Sequence, residues 1–245
     1  MDKQDSTIYY LKNEDIKNQD ILYTHIYSNM ESNYYWSDDF SEEFYVNLAY
    51  AGFLSVSNYI DEQFLLLPEI QFEYAVLDFS NLYISKKVQK LISRNEYKLS
   101  VNEHFEDLLS KIELYHENCW LSGKYLDLVK KLKNYKNKTL PFKLISVELS
   151  CSKTNTLVAG ELGYIIGSTY TSLTGFSNKE KQYNNWGTLQ LVLWAQYLKK
   201  EKLDFWNLGH ASMDYKLKLG AKVYSRVDFL NRWIPATKKQ ILKFL

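Results

Sequence analysis

One carboxylate in this chain is placed where acid–base chemistry becomes possible: Glu161, in the run Gly160-Glu161-Leu162-Gly163. On a strand whose neighbours are small and apolar, a glutamate is drawn out of water. Its neutral form is then favoured and its pKa climbs, which makes it a usable proton acceptor near neutral pH. The same residue on an exposed strand edge is an ordinary surface carboxylate, and the sequence leaves both readings open. His210, just after the strand-like run Phe205 to Leu208, is a second candidate for moving a proton, although a histidine there also suits a helix cap or the surface. The loop Gln182 to Gly187 precedes a long helical pattern, a place where backbone amides can meet phosphate. It holds a single glycine, and Asn185 and Trp186 crowd it. Two basic stretches, Lys86, Lys87, Lys90, Arg94 and Lys98, then Lys130, Lys131, Lys133, Lys136, Lys138 and Lys143, suit either a phosphate backbone or a solvated helix face. Cys119 and Cys151 stand far apart and form no metal-binding spacing with the four histidines, so no metal is expected.

Glu161 belongs to the stretch Leu157 to Ser177, LVAGELGYIIGSTYTSLTGFS, which reads as two adjacent strands. Gly160, Gly163 and Gly167 punctuate the first strand and its turn, and glycines inside a strand mark a bulge, a bend or a close approach. The second run, Ser168 to Phe176, is rich in Thr, Tyr and Ser, as pleated surfaces favour. A polar loop follows, then an amphipathic helix with Leu189, Val192 and Leu193 at helical spacing and Lys199 and Lys200 in its last turn. A strand at Phe205 to Leu208, a short helix over Met213 to Leu219 and a last strand near Val223 to Leu230 complete the pattern. Strand, strand, loop, helix, strand is the core order of an acyltransferase-like domain.

Upstream, Pro141 to Leu149 reads as a strand. A helix begins at Ser122, with Tyr125, Leu128, Val129 and Leu132 inward, and another carries Phe105, Leu108, Leu109 and Ile112 with Asn102 as its cap. Tyr97 to Val101 is a strand, and the domain boundary is placed near residue 95. Before it, Ser85 to Leu91 is a basic helix, and Tyr74 to Leu77 and Phe64 to Pro68 are short strands. A helix capped by Ser37 or Asp38 has Glu42 and Glu43 in its first turn and stops at Gly52. Residues 1–33 are polar with scattered aromatics and read as loosely held. The 245 residues allow one large or two small domains, and 46% are apolar with no run long enough to span a bilayer. The charged start, MDKQDSTIYYLKNED, lacks a secretory signal's apolar core. A cytoplasmic monomer is expected. Net charge is +1, so any polyanion contact must be local.

The ordered blocks LYISKKVQKLISRNEYKLSVNEHFEDLL, CWLSGKYLDLVKKL, LVAGELGYIIGSTYTSLTGFS and WNLGHASMDYKLKLGAKVYSRVDFL resemble those of the leucyl/phenylalanyl-tRNA–protein transferases. The resemblance runs from about residue 64 to residue 233, and the segment YYWSDDFSEEFYVNLAYAGFL resembles one found in a divergent branch. It implies an α/β fold of the α+β kind. A GNAT-like domain (residues 96–245), with a mixed, mostly antiparallel sheet flanked by helices, would follow a small N-terminal α+β domain (residues 1–95). It also implies transfer of Leu or Phe from aminoacyl-tRNA to a protein N-terminus that begins with Arg or Lys, a mark for degradation. Aminoacyl-tRNA is then the co-substrate, and no other cofactor is implied.

Carried onto this chain, the resemblance gives Trp120 to the terminal adenosine and Phe176 to the aminoacyl pocket; Ser172 and Tyr170, on the same run, are assigned beside it, although Tyr170 can equally pack the strand. Lys86, Lys87, Lys90 and Arg94 are assigned to the acceptor stem. The family's carboxylate before "SMFS" is Leu173 here, and its catalytic aspartate is Asn207. An amide cannot act as a general base, but it can orient an amine, so Asn207 and Glu161 become the catalytic candidates. The same residues leave open an acetyl-CoA-dependent N-acetyltransferase, a non-catalytic binder of aminoacyl-tRNA or N-terminal peptides, and a different amine acceptor.

Overall fold

The computed structural model describes residues 8–117 and 119–239. The N-terminal part opens with a two-residue strand, β1 (Tyr9–Tyr10), paired in parallel with β2 (Tyr35–Trp36). Between them run two short helices, α1 (Asn13–Lys17) and α2 (Gln19–Ile21), and a π-helical turn, Leu22–Tyr27. This region is more firmly held than its polar composition suggested. Leu11, Ile16, Leu22 and Ile26 are buried. The guanidinium of Arg226, itself fully buried, donates to the carbonyls of Ile26, Tyr27, Asn29, Ile70 and Gln71. A buried cation this well surrounded by acceptors holds three distant segments together.

Helix α3 (Glu42–Tyr50) starts at Ser41, whose hydroxyl accepts from the Phe44 amide, not at the expected Ser37 or Asp38. It ends before Gly52, whose φ of +88° needs a residue without a Cβ. Strands β3 (Leu54–Ile60) and β4 (Gln63–Glu69) form an antiparallel hairpin. The serines and asparagine of β3 had hidden its strand character. Then come β5 (Glu73–Leu77), α4 (Lys86–Arg94, capped by Ser85), β6 (Tyr97–Val101), α5 (Phe105–Tyr115) and α6 (Gly123–Leu132). Asn102 does not cap α5. Its side-chain oxygen accepts from the Ser146 amide on the next strand.

The rest of the chain is β7 (Phe142–Cys151), β8 (Thr156–Ile166), β9 (Thr169–Ser177), α7 (Trp186–Lys200), β10 (Phe205–His210), α8 (Asp214–Leu219), β11 (Lys222–Ser225) and α9 (Arg226–Thr237). The expected last strand, Val223 to Leu230, stops at Ser225, because the Ser225 hydroxyl accepts from the Asp228 amide and starts α9.

Seven strands form one sheet in the order β11-β5-β10-β9-β8-β7-β6. All neighbours are antiparallel except β9 and β10. This is the mixed, mostly antiparallel, helix-flanked sheet expected of a GNAT-like domain. Alternation sorts its side chains: Leu144, Leu162, Tyr164 and Ile166 pack with α3, α5, α6 and α9, while Ile145, Val147 and Ile165 pack with α4 and α7. β5 lies before residue 95 yet sits inside the sheet, between β11 and β10. A two-part organisation that keeps the sheet whole therefore places its boundary before β5.

Candidate active site

The parallel pairing of β9 and β10 is short, from Phe205↔Thr169 to Asn207↔Thr171. Beyond it the strands part: β9 continues against β8, and β10 against β5. A bulge lies on each side of the fork. Leu173 is the extra residue between the pairs Gly163↔Ser172 and Leu162↔Thr174. Leu208 is the extra residue between Asn207↔Val76 and Gly209↔Ala75. Bulges bend a strand and re-aim its side chains, and here they hold the fork open. A cavity of about 490 Å³ fills it.

Gly187, Thr188, Gln190 and Leu191 near the start of α7 form one wall, and Met213, just before α8, with Tyr215 and Lys216 of α8 form another. Tyr115, His116, Trp120 and Leu54 to Val56 close the far side. Glu161 lines this cavity although its own strand is one removed from the fork. It is buried, at 6% exposure, and its carboxylate accepts from the Tyr170 hydroxyl at 2.8 Å. Burial pushes its pKa up to about 7, partly opposed by hydrogen bonds from Tyr170 and Ser172 and by the charge of Lys216. Gly163 makes the Tyr170 contact possible, since a Cβ there would lie 2.2 Å from the phenol oxygen. The acid suspected from its glycine neighbours is thus a buried group poised near neutrality.

Of the other expected residues, Trp120, Ser172 and Phe176 line the cavity. Trp120 is half-buried, its ring edge-on to Tyr125 with centroids 5.0 Å apart. The Ser172 hydroxyl accepts from the Trp206 indole at 2.7 Å, which leaves its proton free to point towards the carboxyl. Two assignments need correction. Tyr170 is completely buried and does not line the cavity; it stands behind Glu161, between Trp194 and Trp206. Asn207 is also outside the lining. Its side-chain oxygen accepts from the Gly209 amide at 3.0 Å, so it fixes the β10 bulge and is not free to orient an amine. Lys86, Lys87, Lys90 and Arg94 are exposed on α4, on the α7 side of the sheet, and none reaches the cavity. Lys130, Lys131 and Lys133 lie on α6, on the opposite side.

Other groups complete the cavity: His210, weighed from the sequence, and His116, Lys216 and Glu69, which the sequence reading missed. His210 pairs at 3.0 Å with Glu69, a buried carboxylate on β4. His116 reaches the Gly175 carbonyl at 3.0 Å and the Thr174 hydroxyl at 3.2 Å. Lys216 is buried at 4% exposure and donates to the His210 carbonyl at 2.7 Å. Burial lowers its pKa to about 8, against the opposing charge of Glu161. Of the three missed, only Lys216 had a readable signal: it lies three residues before Leu219 on a short helix, on the same inward stripe. Among the described residues, no group of side chains is arranged to hold a metal, and no helix is long and apolar enough to cross a membrane.

Residues 76–233 match the family model described as leucyl/phenylalanyl-tRNA protein transferase. The chain belongs to that family. No curated protein matches the chain. Solved structures with some likeness include L-PGS from Bacillus licheniformis, at 13% identity over 67% of this chain and 65% of that one, with a TM-score of 0.43. A putative lysylphosphatidylglycerol synthetase C-terminal domain from Agrobacterium fabrum gives 13% identity, 69% and 51% coverage and a TM-score of 0.41. FemX gives 9% identity, 91% and 80% coverage and a TM-score of 0.49. The chain spans less than two thirds of the length of the first two. At such identity and overlap these likenesses add nothing about chemistry.

Proposed function

We propose that this protein moves an aminoacyl group, Leu or Phe, from aminoacyl-tRNA to the α-amine at the N-terminus of an acceptor protein. The reading includes a cytoplasmic monomer and a role in marking proteins for degradation. The observation that carries it is Glu161, a buried carboxyl with a pKa of about 7 that faces a cavity in a member of this family. Aminolysis of an ester needs a neutral amine, and a base of that pKa can accept the amine's proton at physiological pH. Tyr170 holds the carboxyl in place from behind, and Ser172 supplies a second hydroxyl beside it.

Trp120 offers a platform for the terminal adenosine, worth roughly 1–3 kcal/mol when a base stacks on it. Phe176, Leu173, Leu191 and Leu208 give the aminoacyl side chain apolar walls. The exposed lysines of α4 are assigned to acceptor-stem phosphates, which they would meet by charge alone. Incubation with radiolabelled Leu-tRNA, Phe-tRNA and a mixed aminoacyl-tRNA pool, and with peptides differing only in residue one, tests the reading. Label is expected to move from Leu- or Phe-tRNA to a basic N-terminus. Transfer seen only in a parallel acetyl-CoA arm would overturn it, and tRNA binding without transfer would reduce the protein to a binding module.

A further inference from the structure

Glu161 accounts for only one of the two proton transfers that aminolysis of a ribose ester requires. When the tetrahedral intermediate collapses, the electron pair of the breaking C–O bond goes to a ribose oxygen, a poor leaving group unless it is protonated. The cavity holds one buried cation that nothing above has used. Lys216 projects from α8, and its ammonium is held against the end of β10 by the His210 carbonyl at 2.7 Å. It lies close to the Gly209 backbone, 4.0 Å from where a Cβ would stand there.

No carboxylate lies within 4.0 Å of the ammonium among the described residues. The cavity's second buried acid, Glu69, is taken up by His210 and Asn33. Burying an ammonium without a paired anion is costly, and such a cost persists where the group meets a ligand. Glu161 reaches the cavity from the β8 and β9 side of the fork, and Lys216 from the β10 and α8 side. The two influence each other electrostatically without touching, and the cavity they both line is where an ester would meet a proton acceptor and a proton donor.

We infer that Lys216 is the general acid that protonates the leaving ribose oxygen, a catalytic role that rests on the aminoacyl-transfer reading. The acceptor amine forms its bond to the carbonyl carbon and gives a proton to the Glu161 carboxylate. The C–O bond breaks, and the ribose oxygen takes a proton from the Lys216 ammonium. Return of the proton from Glu161 to Lys216 resets the pair, and no oxidant, reductant or further reactant is involved.

The discriminating variable is the leaving group. Steady-state transfer is measured for the wild type, Lys216→Gln and Lys216→Met with two donors: leucyl-adenosine 3′-ester and leucine p-nitrophenyl ester. The second donor's leaving group departs without a proton. Loss of a general acid predicts a fall in kcat of about 100-fold or more on the adenosine ester, with little change on the nitrophenyl ester. Thermal melts confirm that each variant is folded, and the nitrophenyl rate reports an intact site in the same sample. Equal losses on both donors would assign Lys216 to structure or to oxyanion binding and overturn the inference, as would an undiminished rate on the adenosine ester. A wild type inactive on leucyl-adenosine and on Leu- or Phe-tRNA alike would overturn the transferase reading, and this inference with it.

Discussion

Glu161→Gln is expected to make the protein more stable while removing its base, and pH separates this from an ordinary substitution. In the folded state the carboxyl titrates at about 7, against 4.5 for the unperturbed group. At about 1.4 kcal/mol per unit, holding the ionised form in the fold costs about 3 kcal/mol. The folded pKa is the higher one, so the folded state holds the proton more tightly. The contribution to stability is complete below pH 4.5 and is lost as pH rises through about 7. Glutamine has the same shape and no charge. At pH 4 the two proteins should differ little, and at pH 8 the variant should be more stable. The help that Tyr170 and Ser172 give the carboxylate is already counted in that pKa; the glutamine brings an amide N–H group that lacks the carboxylate's partners, which takes back about 1–2 kcal/mol. A net advantage of about 1–2 kcal/mol at pH 8 remains.

Urea unfolding of both proteins at pH 4, 6 and 8, with slopes compared to confirm a common transition, measures this directly. The wild type should lose ground steadily between pH 4 and 8 relative to the variant. A difference that does not change with pH would mean that Glu161 ionises in the fold as freely as in the open chain. A variant less stable at pH 8 would mean that its hydrogen bonds outweigh the cost of the buried charge. Either result would remove the physical basis for Glu161 as a base.

Two further expectations rest on independent features. Replacing Lys86, Lys87 and Lys90 of α4 with alanine should weaken tRNA binding and lower the slope of log affinity against log salt by about 2 to 3, at slightly under one unit per phosphate contact; unchanged binding in a filter or polarisation titration would take α4 out of the tRNA path. Gly163→Ala should destabilise the fold by about 1–3 kcal/mol, because the added methyl meets the Tyr170 hydroxyl at 2.2 Å and the Thr171 carbonyl at 2.4 Å. Unchanged stability together with an unchanged activity pH profile would show that the Tyr170–Glu161 contact is not what sets the acid's environment.

Much of the architecture was legible because periodicity reports burial directly. Alternation along β7, β8 and β9 and the three-to-four spacing of α5, α6 and α7 placed those elements close to where they lie. The misses have local causes. β3 carries polar residues at both kinds of position, with Ser55 and Ser57 buried, Ser55 on the cavity wall and Ser57 donating to the Trp120 carbonyl, and Asn58 exposed, so it lacks a strand's usual composition. The last expected strand gave way to α9 because a serine cap outweighs two β-branched residues. Glu161 was legible because glycines beside a carboxylate are a local signal of close packing. Glu69 and His116 were not, because each owes its position to segments distant in the chain, and Lys216 left only its spacing from Leu219 as a signal.

Asn207 and Leu173 show why position in a family motif did not carry over to role. Both stand where the resemblance implies carboxylates, and both belong to the bulges that open the fork: Asn207 secures the Gly209 amide beside the Leu208 bulge, and Leu173 is itself the bulged residue on β9. A well-solvated acid is ionised at neutral pH, and works as an anchor or a fixed negative charge. An acid one strand deeper, reached past a residue with no side chain, is desolvated and works as a base near pH 7. Glu161 is the second kind, and Gly163 leaves room for the hydroxyl that holds it. Loss of acidic residues from the two motif positions therefore does not empty the site of acid–base chemistry. It leaves that chemistry to a carboxyl whose pKa depends on packing, which is why a single methyl at residue 163 should disturb both stability and proton transfer.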